Sequence, residues 1–385
     1  MSAELKVAVA LFGLLLTASC ASTDAITDIR PGQLPAANTD EAGLWMVFDR
    51  AESELQTSGR IVQDPVVGPY VHSIVCNLSP EYCDHIRTYV VRSAKFNASM
   101  APNGVMHVWT GLLLRAENEA QVAFVIGHEL AHYTKRHSLK RWRDLRAKTT
   151  GLAFFQVATA AAGVGVVGDV ATLGTIVSVY SFSRDQEREA DKLGLRMMAD
   201  AGYDPREAVK IWKTLIEEKE ASSDPDRSIF FSTHPSTEER IESLAEMASA
   251  QQGGAQRLRR DEFLAVVEPF RNRWISDEFR YRDYGMLEAL LDHQAKTSAS
   301  PGLVQFFRGE FFRLRRDEGD DAKALTAYQS AVEDGGAPAE AFRSLGLVHW
   351  ARGDTEQARQ AFERYLTEEP LAEDRAMIES YLERI

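Results

Sequence analysis

The 385-residue sequence predicts an α+β fold, in which a mostly helical domain with a small β-sheet is followed by an α-helical repeat region. Three observations carry this expectation. Helix-period apolar patterns fill most of the chain from Glu41 onward. Two strand-like runs, Ile86 to Arg92 and Val105 to Trp109, interrupt them, the second entered through the turn Pro102-Asn103-Gly104. Residues 301–385 alternate small and large side chains at the spacing of helical hairpin repeats. With 44% hydrophobic and 26% charged residues the chain has enough core-forming material for two or three domains. A net charge of -13 leaves no basic face for phosphates, so no nucleic-acid partner is expected.

Residues 1–19 form a targeting signal. Val7 to Thr17 is apolar but too short to span a bilayer, and it leads into Leu16-Thr17-Ala18-Ser19-Cys20. This resembles a bacterial lipoprotein signal, in which cleavage leaves Cys20 as a lipidated N-terminus. Thr17 and the weak basic region, Lys6 offset by Glu4, depart from the pattern, and a plain secretory signal is the alternative. Ala21 in place of Asp fits sorting to the outer membrane. The expected location is therefore the periplasm, with a lipid anchor in the outer membrane and residues 20–40, small, polar and proline-bearing, as a tether. Cys76 and Cys83 flank a Ser79-Pro80 turn. In an oxidising compartment their spacing is compatible with a small-loop disulfide, and two free buried thiols are the alternative.

Residues 41–250 read as the first domain. Helices over about 41–59 and 64–78 precede the strands, and Glu119 to His137 forms one longer helix. On it Val122, Ile126, Leu130 and Tyr133 draw the core-facing stripe, with Val125, His128 and His132 on the neighbouring, partly shielded stripe. Asn118 caps the start with Gln121 as reciprocal partner, Gly127 is the one weak helix former, and His137 reads as a solvated helix-end residue. Thr149 to Tyr180 carries a single charge, Asp169. It reads as buried helices or a mobile lid, with membrane insertion as the minor alternative.

His128-Glu129-Leu130-Ala131-His132 carries the chemistry. Residues four apart share a helix face, so both imidazoles reach one metal ion, while Glu129 sits ~100° around, near the metal's open side. A catalytic zinc needs a third protein ligand and leaves the fourth place to water. Glu187 and Asp191, again four apart, offer one carboxylate to the metal and one to orient a ligand histidine, and Glu189 stays open as an alternative to Glu187.

Taken with Ser183-Arg184-x-x-Glu187-x-x-Ala190-Asp191, Ala201-Gly202-Tyr203-Asp204-Pro205 and His234-Pro235-x-x-x-x-Arg240, this motif resembles metallopeptidase family 48, which includes the CAAX prenyl proteases. The resemblance covers residues 41–250, and the trailing repeats are most like its periplasmic members. It implies a helical zinc-metalloprotease domain with one Zn2+, Glu187 as third ligand and Asp191 behind a ligand histidine. It also places His234 and Arg240 at the cleft, His234 as oxyanion stabiliser or as occupant of the open metal position in a latent state. Asn97, Ala98, Ser99 and Met100 would form the edge strand that pairs with an extended substrate, although Asn103 stands where the family more usually has a second glycine in the turn.

Residues 251–300 read as a helical connector and 301–385 as tetratricopeptide-like repeats. One copy carries Phe342, Leu345, Gly346, Gly353, Ala358, Phe362, Tyr365 and Pro370. A looser one carries Gly309, Phe312, Ala324, Tyr328 and Ala331. The expected function is a zinc metalloendopeptidase of the bacterial envelope acting on protein or peptide substrates in outer-membrane protein quality control, with an envelope protein docked on the repeats. A latent protease acting mainly as scaffold or chaperone is the alternative, and a zinc hydrolase of non-peptide substrates is disfavoured.

Overall fold

A computed structural model describes residues 26–148, 182–224, 229–234, 238–251 and 256–385. The signal, Cys20 and the weakly charged stretch 149–180 lie outside the described residues. Helix α1 (Asp40–Thr57) starts at Thr39, whose hydroxyl accepts the Ala42 N–H, and is followed by α2 (Val67–Leu78) and a tight turn at Pro80–His85. Strands β1 (Arg87–Val91), β2 (Ala98–Met100) and β3 (Val105–Trp109) form one sheet in the order β1-β3-β2. β3 is central, parallel to β1 and antiparallel to β2, with Ser99 opposite His107. Both sequence-read strands are present, and β2 occupies an edge.

After α3 (Thr110–Arg115) comes the motif helix α4 (Glu119–Thr134). It differs from expectation in three ways. Every residue from Glu119 to Tyr133 is buried, so the helix has no solvent face and its two histidines lie in the interior instead of at a core edge. The cap is offset: Asn118 Oδ1 accepts the Gln121 N–H at 3.1 Å, but Gln121 Oε1 accepts from Glu117 N, one residue earlier than a reciprocal box requires. The helix also stops short of His137. Arg136 adopts φ +53°, and α5 (His137–Lys148) starts afresh, which folds His137 back beneath the motif.

Helix α6 (Arg184–Asp200) begins with a complete capping box between Ser183 and Gln186 and lies along α4. A pair of glycines permits their close approach. A Cβ on Gly194 would stand 2.7 Å from the backbone nitrogen of His128, and one on Gly127 3.1 Å from the carbonyl oxygen of Gly194. Gly194→Ala would gain about 1 kcal/mol of helix propensity, but the obstruction is backbone, which cannot rotate away, and overpacking of this kind costs about 1–3 kcal/mol. The clash should win by up to about 2 kcal/mol, lowering the melting midpoint by up to about 8 °C and weakening metal retention. A variant that melts like the wild type would show that the crossing has slack.

Helices α7 (Glu207–Ala221), α8 (Ile229–Thr233) and α9 (Glu238–Ala250) complete the surroundings of the motif. The apolar core continues from them through α10 (Arg260–Phe279) and α11 (Tyr284–Thr297) into α12 (Pro301–Arg315), α13 (Asp320–Glu333) and the start of α14 (Glu340–Arg352). Buried polar links reinforce it. Arg115, 2% exposed, pairs with Glu218 on α7 and Glu278 on α10, and Arg92 at the end of β1 forks onto Asp277 at 2.7 Å. Beyond α12 and α13, α14 pairs with α15 (Thr355–Glu368), and α16 (Arg375–Leu382) closes the end through Ile378. Both hairpins set a small residue against a large ring, Gly309 against Tyr328 and Gly346 against Phe362. Among the described residues no helix is long and apolar enough to cross a membrane.

Candidate metal centre

Helix α4 delivers His128 and His132 one turn apart, and the Gly127–Gly194 contact brings α6 close enough for Glu187 and Asp191 to meet them. The ring nitrogens His128 Nε2 and His132 Nε2 are 3.1 Å apart. Glu187 Oε2 lies 3.5 Å from the first and Glu187 Oε1 3.5 Å from the second. His234 Nδ1 stands 3.2 Å from His128 Nε2 and 3.1 Å from Glu187 Oε1, so four donor groups converge on one point. All four are buried, none more than 1% exposed.

The spacing suits a small tetrahedral cation. Bonds of about 2.0–2.1 Å to nitrogen and oxygen at tetrahedral angles place neighbouring donors about 3.3–3.4 Å apart, and the observed separations span 3.1–3.5 Å. Two imidazoles, a third imidazole and a carboxylate are the donor set of zinc or a neighbouring transition metal, not of calcium or magnesium.

A second ring of groups orients the first. Asp191 Oδ1 lies 3.0 Å from His128 Nδ1, which favours the tautomer with its lone pair on Nε2. Arg240, from α9, forks onto Asp191 through Nε (2.7 Å) and Nη2 (2.8 Å) while its Nη1 reaches Glu187 Oε2 at 2.8 Å. His137 Nδ1 stands 2.9 Å from His132 Nδ1, and its Nε2 reaches Glu189 Oε2 at 3.1 Å. His137 is therefore a fully buried support of a donor histidine, a correction to its reading as a solvated helix end. Glu189, open on sequence grounds as a donor, faces His137 from a half-exposed position instead.

Charge follows from this packing. Burial works against ionising Glu187 and Asp191, but His234 beside Glu187, and His128 and Arg240 beside Asp191, outweigh it and hold both carboxyls below their ordinary range. Glu129 goes the other way: burial raises its proton affinity, and the nearby histidines offset only part of that. His132 is driven well below the usual imidazole range by burial and neighbouring cationic groups. His234 is raised, because Glu187 and Glu129 overcome its desolvation.

Glu129, 2% exposed, hydrogen-bonds the Met100 backbone and points Oε1 to within 3.4 Å of His234 Nε2. Edge strand β2 thus runs directly beside the acid. Ala98, Ser99 and Met100 are buried, and the Asn97 amide is buried with no hydrogen-bond partner among the described residues.

The sequence reading missed the aromatic packing. Phe182 stacks on His132 at 3.9 Å, Phe230 stacks on His234 at 4.8 Å, and Trp212 lies under the Arg240 guanidinium at 5.6 Å. A signal for the α6 face existed: Glu187, Asp191 and Gly194 fall at i, i+4 and i+7. Away from this centre, Cys76 and Cys83 form a disulfide, the pairing that their spacing permitted.

Residues 69–248 match the family model described as Peptidase family M48. The chain is 26% identical over 256 residues to a putative beta-barrel assembly-enhancing protease of Vibrio cholerae, covering 62% of this chain and 51% of that protein. It is 23% identical over 300 residues to the beta-barrel assembly-enhancing protease of Escherichia coli, covering 74% and 58%. The mitochondrial metalloendopeptidase OMA1 of Arabidopsis thaliana is 36% identical over 160 residues, covering 41% and 30%. The chain spans about half the length of these beta-barrel assembly-enhancing proteases.

Proposed function

We propose, because residues 69–248 belong to peptidase family M48 and bring His128, His132 and Glu187 to one point, that this chain is a zinc-dependent metalloendopeptidase of the bacterial cell envelope. The convergence of those three donors beside a buried Glu129 is the observation that carries the reading. A zinc ion held there would polarise the scissile carbonyl and bring the pKa of its bound water to about 7. Glu129 takes the water's proton and passes it to the leaving amine, a role for which its raised proton affinity suits it. Asp191 and Arg240 keep His128 and Glu187 aimed, and His137 does the same for His132. β2, from Ala98 to Met100, offers an edge against which an extended peptide would pair, and the Asn97 amide, without a partner among the described residues, is a natural hydrogen-bonding group for it.

The names of these relatives support a role in β-barrel protein assembly, and with it outer-membrane quality control. In the same reading Cys20 carries the lipid anchor and the C-terminal hairpins dock an envelope partner. His234 supports a second reading. Its Nδ1 fills the fourth donor place, where the reacting water would sit, so in this reading the resting protein is latent and its repeats act as a scaffold until His234 withdraws.

Metal analysis of purified protein tests the main reading. One zinc per chain is expected, and Glu187→Ala should weaken its binding more than about 100-fold. Wild-type zinc affinity in that variant would remove Glu187 from the ligand set, and proteolysis by metal-free wild type would overturn the mechanism.

A further inference from the structure

The tight turn after α2 gathers a second group of metal-binding side chains that the peptidase chemistry does not use. His72 and Cys76 are one helical turn apart, and Cys83 comes from the following turn at Pro80–His85. The Nε2 of His72 lies 3.5 Å from Cys76 Sγ and 4.0 Å from Cys83 Sγ, while its Nδ1 is held 3.1 Å from Thr88 Oγ1 on β1. With the Nδ1 proton given to Thr88, the lone pair on Nε2 faces both sulfurs, the arrangement of a ligand histidine with an outer-shell hydroxyl. One donor atom from each residue falls within 4.8 Å of the others, and all three residues are half-buried, which leaves a side open to solvent.

A disulfide alone has no need of that histidine, because its sulfurs are weak acceptors. In a tetrahedral site with bonds of about 2.0–2.1 Å to nitrogen and 2.3 Å to sulfur, nitrogen and sulfur donors sit roughly 3.5 Å apart. The imidazole already stands at that range, and only the two sulfurs must separate.

We propose that His72, Cys76 and Cys83 form a second metal site, available when the Cys76–Cys83 disulfide is reduced, which takes a borderline-to-soft transition-metal cation such as Zn2+ with water as fourth ligand. Reduction by a dithiol breaks the bond between the two Sγ atoms. The dithiol becomes a disulfide, and its two protons pass to Cys76 and Cys83. Metal binding then releases both protons to solvent as the thiolates coordinate. The site shares no residue with the peptidase centre.

Cobalt titration of the full chain carrying Cys20→Ser tests this, because Cys76 and Cys83 are then its only cysteines and thiolate-to-cobalt charge transfer is blind to the histidine and carboxylate donors of the peptidase centre. A phosphine serves as reductant in the test: it becomes its oxide with oxygen from water, whose two protons go to the thiols. Expected are one thiolate-bound Co2+ per chain after reduction, none in the oxidised protein, and affinity at least about tenfold weaker in His72→Ala. Zinc should displace the band. Absence of the band in reduced protein that keeps its circular dichroism would overturn the proposal, as would an equally strong band in His72→Ala. Should reduction unfold the chain, recovery of the native spectrum on adding Co2+ supports the site, and failure to recover overturns it.

Discussion

Replacing Glu129 by Gln should stop peptide cleavage and leave zinc in place. The two side chains have nearly the same shape, so the buried pocket beside Met100 stays filled, and none of the converging donor atoms of His128, His132 and Glu187 is touched. What is lost is the ability to accept a proton. A positioned general base contributes about 10²–10⁴ in rate, and a loss of that size in kcat/KM, about 3–5 kcal/mol of barrier, is the expected result with an unfolded protein or a quenched peptide as substrate. The folded state should not suffer, because burial already works against a charge at Glu129. Undiminished cleavage in a preparation free of other proteases would remove Glu129 from the reaction. The same variant separates the two functional readings. If it supports the cellular role while a chain truncated after residue 300 does not, the scaffold reading prevails over the peptidase one.

Most of the converging group was readable because helical geometry is local. His128 and His132, like Glu187 and Asp191, lie four residues apart, and that spacing alone puts each pair on one face. Which acidic residue meets the histidines was not local. Glu189 stays open as an alternative to Glu187 until α6 is rotated into place, and the Gly127–Gly194 contact at the crossing joins residues whose partnership no periodicity reveals. The apolar stripe on α4 was misleading for the same reason. Helices α2, α5, α6, α7 and α10 and strand β2 pack against it, so even Gln121 and His128 are interior, and amphipathic pattern understates burial when the whole surface of a helix is packed. The fate of His137 turned on one backbone angle at Arg136, a residue with no sequence mark of left-handed conformation.

Arg240→Ala is expected to have the largest effect on stability. Its guanidinium is 6% exposed and serves two carboxylates, Asp191 at 2% and Glu187 at 1% exposure. Both carboxyls titrate below their ordinary range in the folded protein, so the stability that they contribute is present above the unfolded pKa and lost as pH falls through the lower folded one. Without Arg240 the opposing desolvation stays while a cation disappears, so the folded pKa values rise and the stabilisation at neutral pH shrinks. Breaking a buried ion pair from one side costs about 3–5 kcal/mol, a fall of roughly 6–20 °C in melting midpoint. Lys at this position carries the charge but not the fork, and should recover only part of the loss. The metal supplies a second signature. A divalent cation between the histidines and Glu187 replaces some of the missing positive charge, so the deficit should be largest in chelator and shrink as zinc is added. A deficit of the same size with and without zinc would mean that Arg240 braces α9 against Trp212 and not the carboxylates of the metal centre.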